Sequence, residues 1–332
     1  MKFVLPAFLL FTSGRKISMF LGQGKYRYEW DQGWAGEAIK QMRIGVVAGI
    51  TVDSEDNVYV LVRSDPPVIV LDKSGKVTET FGTGLFGRPH GMFRDRDGSL
   101  FGVDDHDHIV MKFNGHRKVV MTLGTRGRAS DTGYTPDHHT VERAAGPFNR
   151  PTRLVTDPAG NIYVTDGYGN ARVHKFDASG RLIKSWGTPG SAPGQFNLPH
   201  GIGIDSRGRL YVADRGNDRV QLFTTDGEFI EQWTDFNRPS DIWIDKDDII
   251  YVSENRRASK FSGVPSRVTI LDAEGRLLSR LGDETVSYDE DRPFFSAHGI
   301  AVDSEGSIYI GNVGQHWLTG TTGLYKYKRI LS

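Results

Sequence analysis

The sequence contains no cysteine, which excludes disulfides, thiol catalysis, Cys-ligated zinc and iron–sulfur clusters together. It has no surplus of either charge, with 41 Lys+Arg against 41 Asp+Glu. Binding to a polyanion normally needs a basic surplus, so a nucleic-acid partner is not expected. No apolar run reaches the roughly 18 residues of a membrane-spanning helix, and no membrane association is expected. Low-complexity tracts and long charge blocks are missing as well, so wholesale disorder is excluded. What the chain has in quantity is turn formers, 40 Gly and 14 Pro in 332 residues, and these are spaced regularly.

One phrase occurs six times: an apolar run, an Asp, a short turn and a strand. It reads Val52-Asp53-Ser54-Glu55-Asp56-Asn57-Val58-Tyr59-Val60, then recurs from Asp95, Asp157, Asp205, Asp245 and Asp303. Phrases such as TDPAGNIYVTD and IDSRGRLYVAD are β-hairpin signatures, with Asp and Gly supplying the turn. A second hairpin usually follows, as in VHKFDASGRLIKSWG over 173–187, which makes four antiparallel strands per unit. The first and last turn Asp are 250 positions apart, so five steps average 50 residues. Four strands at that period form a propeller blade, and six blades predict an all-β, closed, six-bladed β-propeller. Leu324 to Tyr327 reads as the third strand of a last blade that lacks its fourth. Tyr26 to Trp30 is expected to supply that strand and close the ring.

Residues 1–20 stand outside the repeat, and residues 21–332 form the single propeller domain in this reading. MKFVLPAFLLF carries one positive charge and a short apolar run, as a signal peptide would, but no small-x-small cleavage site follows. An N-terminal extension, or initiation at Met19, accounts for it equally well. The expected location is cytoplasmic, or secreted or periplasmic if residues 1–14 act as a signal segment. A closed propeller needs no partner copy, and a monomer is expected.

Aligned on the turn Asp, the position five residues upstream reads Ala48, His90, Thr152, His200, Ser240, His298. Histidine alternates with a small residue around the ring, which sets three imidazoles about 120° apart at one depth beside the axis of a six-fold propeller. Three neutral nitrogens and one open position are what a tetrahedral metal requires. The other seven histidines, His138 and His139 among them, share no register. Zinc is the first expectation for such a tripod, and Fe, Co, Ni or Cu also take imidazole ligands. Arg63 and Arg215 share the position ten residues past the turn Asp, in blades 1 and 4. Emerging beside the histidines on opposite sides, they suit a carboxylate or another anion, unless they simply pair with Asp65 and Asp214. Tyr168 projects from the same rim and, near a divalent cation, can serve as base or ligand. The rim acids Asp166, Asp214 and Glu254 recur blade by blade and read as structural. The long connections 124–150 and 283–297 fall on the histidine side, placed to cover a site.

The phrases FNRPTRLVTD, GQFNLPHGIGID and YVADRGNDRVQLF resemble NHL repeats. Over all six blades, roughly residues 26–328, the chain resembles the catalytic propeller of peptidyl-α-hydroxyglycine α-amidating lyase. That resemblance implies a catalytic zinc on His90, His200 and His298, in the contexts PHG, PHG and AHG. It further implies a catalytic tyrosine at Tyr168, in a DGY phrase, and substrate-binding arginines at Arg63 and Arg215. The expected substrate is a small molecule or short peptide carrying a carboxylate. A structural calcium would be held by an Asp directly after the third histidine. This chain has Gly299 there, which leaves only backbone carbonyls for calcium. Two other activities suit the same residues: metal-dependent hydrolysis of a lactone or ester, and a non-catalytic interaction module with the metal as a pin.

Overall fold

The computed structural model describes residues 20–42, 44, 46–136, 140–255, 266–282, 296–313 and 323–331. Each Asp-turn phrase forms the hairpin predicted. Asp53 Oδ1 accepts the backbone N–H groups of Glu55 and Asn57 at 2.9 and 2.8 Å, closing the turn on itself. Its second oxygen accepts the phenol of Tyr59 at 3.3 Å, six residues on. The tether recurs from Tyr163, Tyr211, Tyr251 and Tyr309 to Asp157, Asp205, Asp245 and Asp303 at 2.8–3.2 Å. In blade 2 Phe101 takes the tyrosine's place.

Six antiparallel sheets result, the six blades of a propeller. The innermost strands are Val47–Val52, Pro89–Arg94, Pro151–Thr156, Pro199–Ile204, Pro239–Ile244 and Ala297–Val302. They are buried almost throughout because neighbouring blades cover both faces. Outermost strands such as Leu182–Trp186 are largely exposed. The core is correspondingly divided into clusters between adjacent blades, for example Tyr211, Ile242, Ile250 and Val252 between blades 4 and 5.

The ring closes as the sequence implies. Tyr26–Trp30 pairs antiparallel with Leu324–Arg329, Tyr28 opposite Arg329. One difference appears here, because a further strand, Phe20–Gln23, adds outside it. The sixth sheet therefore has five strands. Gln23 N–H donates to Ser279 Oγ at 2.9 Å, so the added strand leans on blade 5.

Candidate metal centre

In every blade the pairing of the innermost strand slips where the alternating column sits: between Val47 and Gly49, Pro89 and Gly91, Pro151 and Arg153, Pro199 and Ile202, Pro239 and Asp241, and Ala297 and Gly299. Such a bulge re-aims a side chain, and here it turns residues that would lie between blades toward the axis. The imidazoles of His90, His200 and His298 meet there, ring centroids 4.7–4.9 Å apart and all buried.

The alternation has a chemical reason. His90 Nδ1 contacts the Thr152 carbonyl oxygen at 2.8 Å, His200 Nδ1 that of Ser240 at 2.5 Å, and His298 Nδ1 that of Ala48 at 2.9 Å. Each histidine donates to the small residue at its own register in the next blade. Those bonds place the proton on Nδ1 and leave Nε2 as a lone-pair donor toward the axis. The glycine after each histidine permits the approach: a Cβ at Gly91 would meet Thr152 O, and one at Gly201 would meet Ser240 O. The PHG phrase thus encodes a ring aimed at the axis and a strand close enough to hold it.

Burial holds all three imidazoles well below the usual histidine range, and neighbouring cations add to it, Arg63 at His90 and Arg215 at His200 and His298. They are neutral, as metal ligation requires. One nitrogen from each ring lies within 4.8 Å of the others, the one such cluster among the described residues. The residues fit a metal that takes imidazole nitrogen and keeps a position open.

Tyr168 reaches the same point. Its hydroxyl lies 3.1 Å from the Nε2 atoms of both His90 and His200, and Arg215 Nη1 donates to it at 3.4 Å. The DGYG turn holds it there. Asp166 accepts Asn149 N–H at 2.9 Å, while a Cβ on Gly167 would collide with the Pro199 carbonyl. Thr132, from the long connection before blade 3, donates to Gly169 O at 2.5 Å and brings that connection beside Tyr168. His138, His139, Arg256, His316 and residues 283–295 lie outside the described residues.

Neither rim arginine pairs with the acid beside it. Asp214 takes Arg219 Nε at 2.8 Å, and with Asp166 and Glu254 it serves to tie down loops. Arg63 Nε donates to Pro89 O at 3.3 Å, next to His90. Arg215 is buried with no acceptor for its Nε. Two further arginines, which sequence reasoning missed, join them. Arg88 Nη1 and Arg150 Nη2 lie 3.2 and 3.7 Å from the buried Asp105, and the Arg150 guanidinium lies 5.4 Å from the Tyr168 ring centre. They stand seven residues before the turn Asp, a column that carries arginine in blades 2, 3 and 5 as Arg88, Arg150 and Arg238. Arg63, Arg88, Arg150 and Arg215 face Asp105 alone among the described carboxylates, since Asp214 and Glu254 pair with Arg219 and Arg267, which leaves this rim suited to an anion.

The calcium implied by the resemblance does not fit. Gly299 offers no carboxylate, and a Cβ there would lie 3.3 Å from the backbone of Gly49 and Ile50. Below the tripod Arg153 Nη2 already donates to Ile50 O at 3.3 Å and pairs with Asp241 at 3.0 Å.

The family model for the NHL repeat matches residues 148–176 and 196–223, the inner three strands of blades 3 and 4. The chain is therefore a six-bladed propeller that carries NHL repeats in its third and fourth blades. Within that class it resembles peptidyl-α-hydroxyglycine α-amidating lyase. It is 29% identical over 224 residues to a probable lyase of that name from Caenorhabditis elegans, covering 59% of this chain and 61% of that one. It is 32% identical over 236 residues to peptidyl-glycine alpha-amidating monooxygenase B of Xenopus laevis, covering 61% of this chain. The match spans only 25% of that longer protein. Among solved structures, a gluconolactonase from Xanthomonas campestris superposes with a TM-score of 0.59 at 15% identity, over 92% of this chain and 90% of that one, a likeness of fold.

Proposed function

We propose that this propeller is a zinc-dependent lyase. It cleaves the C–N bond of an α-hydroxyglycine-type carbinolamide, releasing an amide and glyoxylate or a related oxo acid. The observation that carries the reading is a phenol oxygen 3.1 Å from two imidazole nitrogens of a buried tripod, with Arg63 and Arg215 beside it in no ion pair among the described residues. Zinc bound by His90, His200 and His298 would supply Lewis-acid polarisation of a substrate oxygen.

The chain's own residues do the rest. The substrate hydroxyl must lose a proton, its C–O bond must become C=O, and the nitrogen must leave with a proton. Among the described residues, Tyr168 is the group beside the tripod placed to take the first proton and return one to nitrogen. Arg215 presents positive charge to that same oxygen. Arg63 lies on the opposite side with its Nη atoms in no ion pair among the described residues, suited to hold the carboxylate and orient the C–N bond. Beyond Tyr168, between blades 3 and 4, a cleft of about 440 Å³ is lined by Val141, Ala171, Phe196, Leu198, Asn170 and Asn217, with no charged side chain. That lining suits the uncharged acyl end of the substrate, peptide or aromatic.

Metal analysis paired with glyoxylate release from α-hydroxyhippurate tests the reading. About one zinc per chain with chelator-sensitive release is the expected result. Metal without release moves esters and lactones to the front, and absence of metal after reconstitution ends the enzyme reading. Arg63→Met is expected to raise KM for the carboxylate substrate roughly 10- to 100-fold, the equivalent of a charge-assisted hydrogen bond worth about 1.5–3 kcal/mol. The same variant should leave KM for the corresponding carboxamide nearly unmoved. Equal effects on both substrates would remove the carboxylate role.

A further inference from the structure

One residue below the histidine column, the six innermost strands read Gly49, Gly91, Arg153, Gly201, Asp241, Gly299. Four glycines let neighbouring strands touch, and the two exceptions form a fully buried ion pair across the axis, Arg153 Nη2 to Asp241 Oδ2 at 3.0 Å. Burial pushes the Asp241 carboxyl up to about 6 and pulls Arg153 down. Arg153 Nη1 is buried without an acceptor. A side chain kept only to fill the channel would be apolar, because buried ion pairs are often no more stabilising than packed hydrocarbon. This pair calls for another reason.

Its contacts give one. Arg153 follows Thr152, Asp241 follows Ser240, and Arg153 donates to Ile50 O, two residues after Ala48, at 3.3 Å. Thr152, Ser240 and Ala48 are the three carbonyls that hold the histidines. The pair therefore ties together the three odd-numbered blades whose backbones orient the tripod. Asp241 also accepts the Ile242 and Ile300 N–H groups at 3.0 and 3.2 Å, adding blade 6. We infer that Arg153 and Asp241 are positioning residues for the metal centre. The guanidinium serves as a built-in axial cation, leaving this propeller without need of calcium. The inference rests on the tripod being a metal site, though not on the lyase reaction.

The experiment compares metal-freed parent, Arg153→Met and Arg153→Lys. Co²⁺ affinity and the visible Co²⁺ spectrum are measured for each, and melting with and without about 1 mM Ca²⁺, the range of weak calcium sites. Arg153→Met should bind Co²⁺ roughly 10- to 100-fold more weakly, as loss of outer-shell support does, with an altered spectrum. Arg153→Lys keeps the charge without the planar fork and should fall between. Calcium should leave the parent's melting temperature unmoved. It should raise that of Arg153→Met, where the Asp241 carboxylate and Ile50 carbonyl are set free. Equal affinity and spectra in all three, or calcium stabilisation of the parent, would overturn the inference. If Arg153→Met does not fold, parent-like Co²⁺ affinity in Arg153→Lys overturns it alone. A parent that takes no Co²⁺ at all removes the metal reading and this inference with it. Parent binding matched by the variants removes only this one.

Discussion

His200→Ala should lose both the metal and the chemistry while keeping the propeller. Two imidazoles hold a divalent ion far less tightly than three, so the purified variant should carry less than about a tenth of an ion per chain. Glyoxylate release should fall by at least about 10³-fold, the kinetic equivalent of the several kcal/mol that a Lewis-acid metal supplies. The fold should persist because the ring is held by backbone strand pairing and by apolar clusters between blades, and the His200 side chain takes part in neither. The variant's own cost is one buried donor, which leaves the Ser240 carbonyl without its partner, about 1–3 kcal/mol. Metal content, circular dichroism and a melting curve on the same sample decide the matter. Cooperative melting without metal or turnover is the enzyme's signature. Collapse of the fold would instead make the ion a structural pin.

Tyr168→Phe should separate chemistry from metal binding. The substitution removes one oxygen, the atom 3.1 Å from His90 and His200 Nε2 and 3.4 Å from Arg215 Nη1. The ring stays edge-on to both imidazoles. Loss of a positioned acid–base group typically costs about 10²–10⁴ in kcat. Zinc content should match the parent, because the three nitrogens and their carbonyl partners are untouched, and KM should change little. A kcat within tenfold of the parent's would reduce Tyr168 to a packing residue and shift the proton transfer to solvent.

Much of this was legible in the sequence because a propeller repeats its physics six times. The turn Asp and the tyrosine six residues later recur as one tether, and that fixed a register against which single columns could be compared. The histidine column stood out by alternating with Ala48, Thr152 and Ser240. The reason for the alternation did not, because it depends on a carbonyl in the next blade and on a bulge that turns each ring inward. Arg63, Arg215 and Tyr168 emerged from register too. Arg153 and Asp241 interrupt a column of glycines, while Arg88 and Arg150 share theirs with Arg238 and with no other charged residue. Their meaning lies in contacts between residues far apart in sequence, such as Arg153 with Asp241. The fifth strand at Phe20–Gln23 falls at the very start of the domain, outside the Asp-turn phrase that marks the blades.

The strand that closes the ring also sets an order of events. Tyr28 pairs with Arg329, a loop of about 300 residues whose closure entropy is recovered only at the end. The tripod draws on positions 90, 200 and 298, so a nascent chain that stops short of the sixth blade, whose innermost strand is Ala297–Val302, can present no more than two of these imidazoles to an ion. Metal loading would then follow assembly rather than nucleate it. An ion held by His90, His200 and His298 would join blades 2, 4 and 6 and serve as a hub clamp, resisting the opening that would part the N-terminal strand from the last blade.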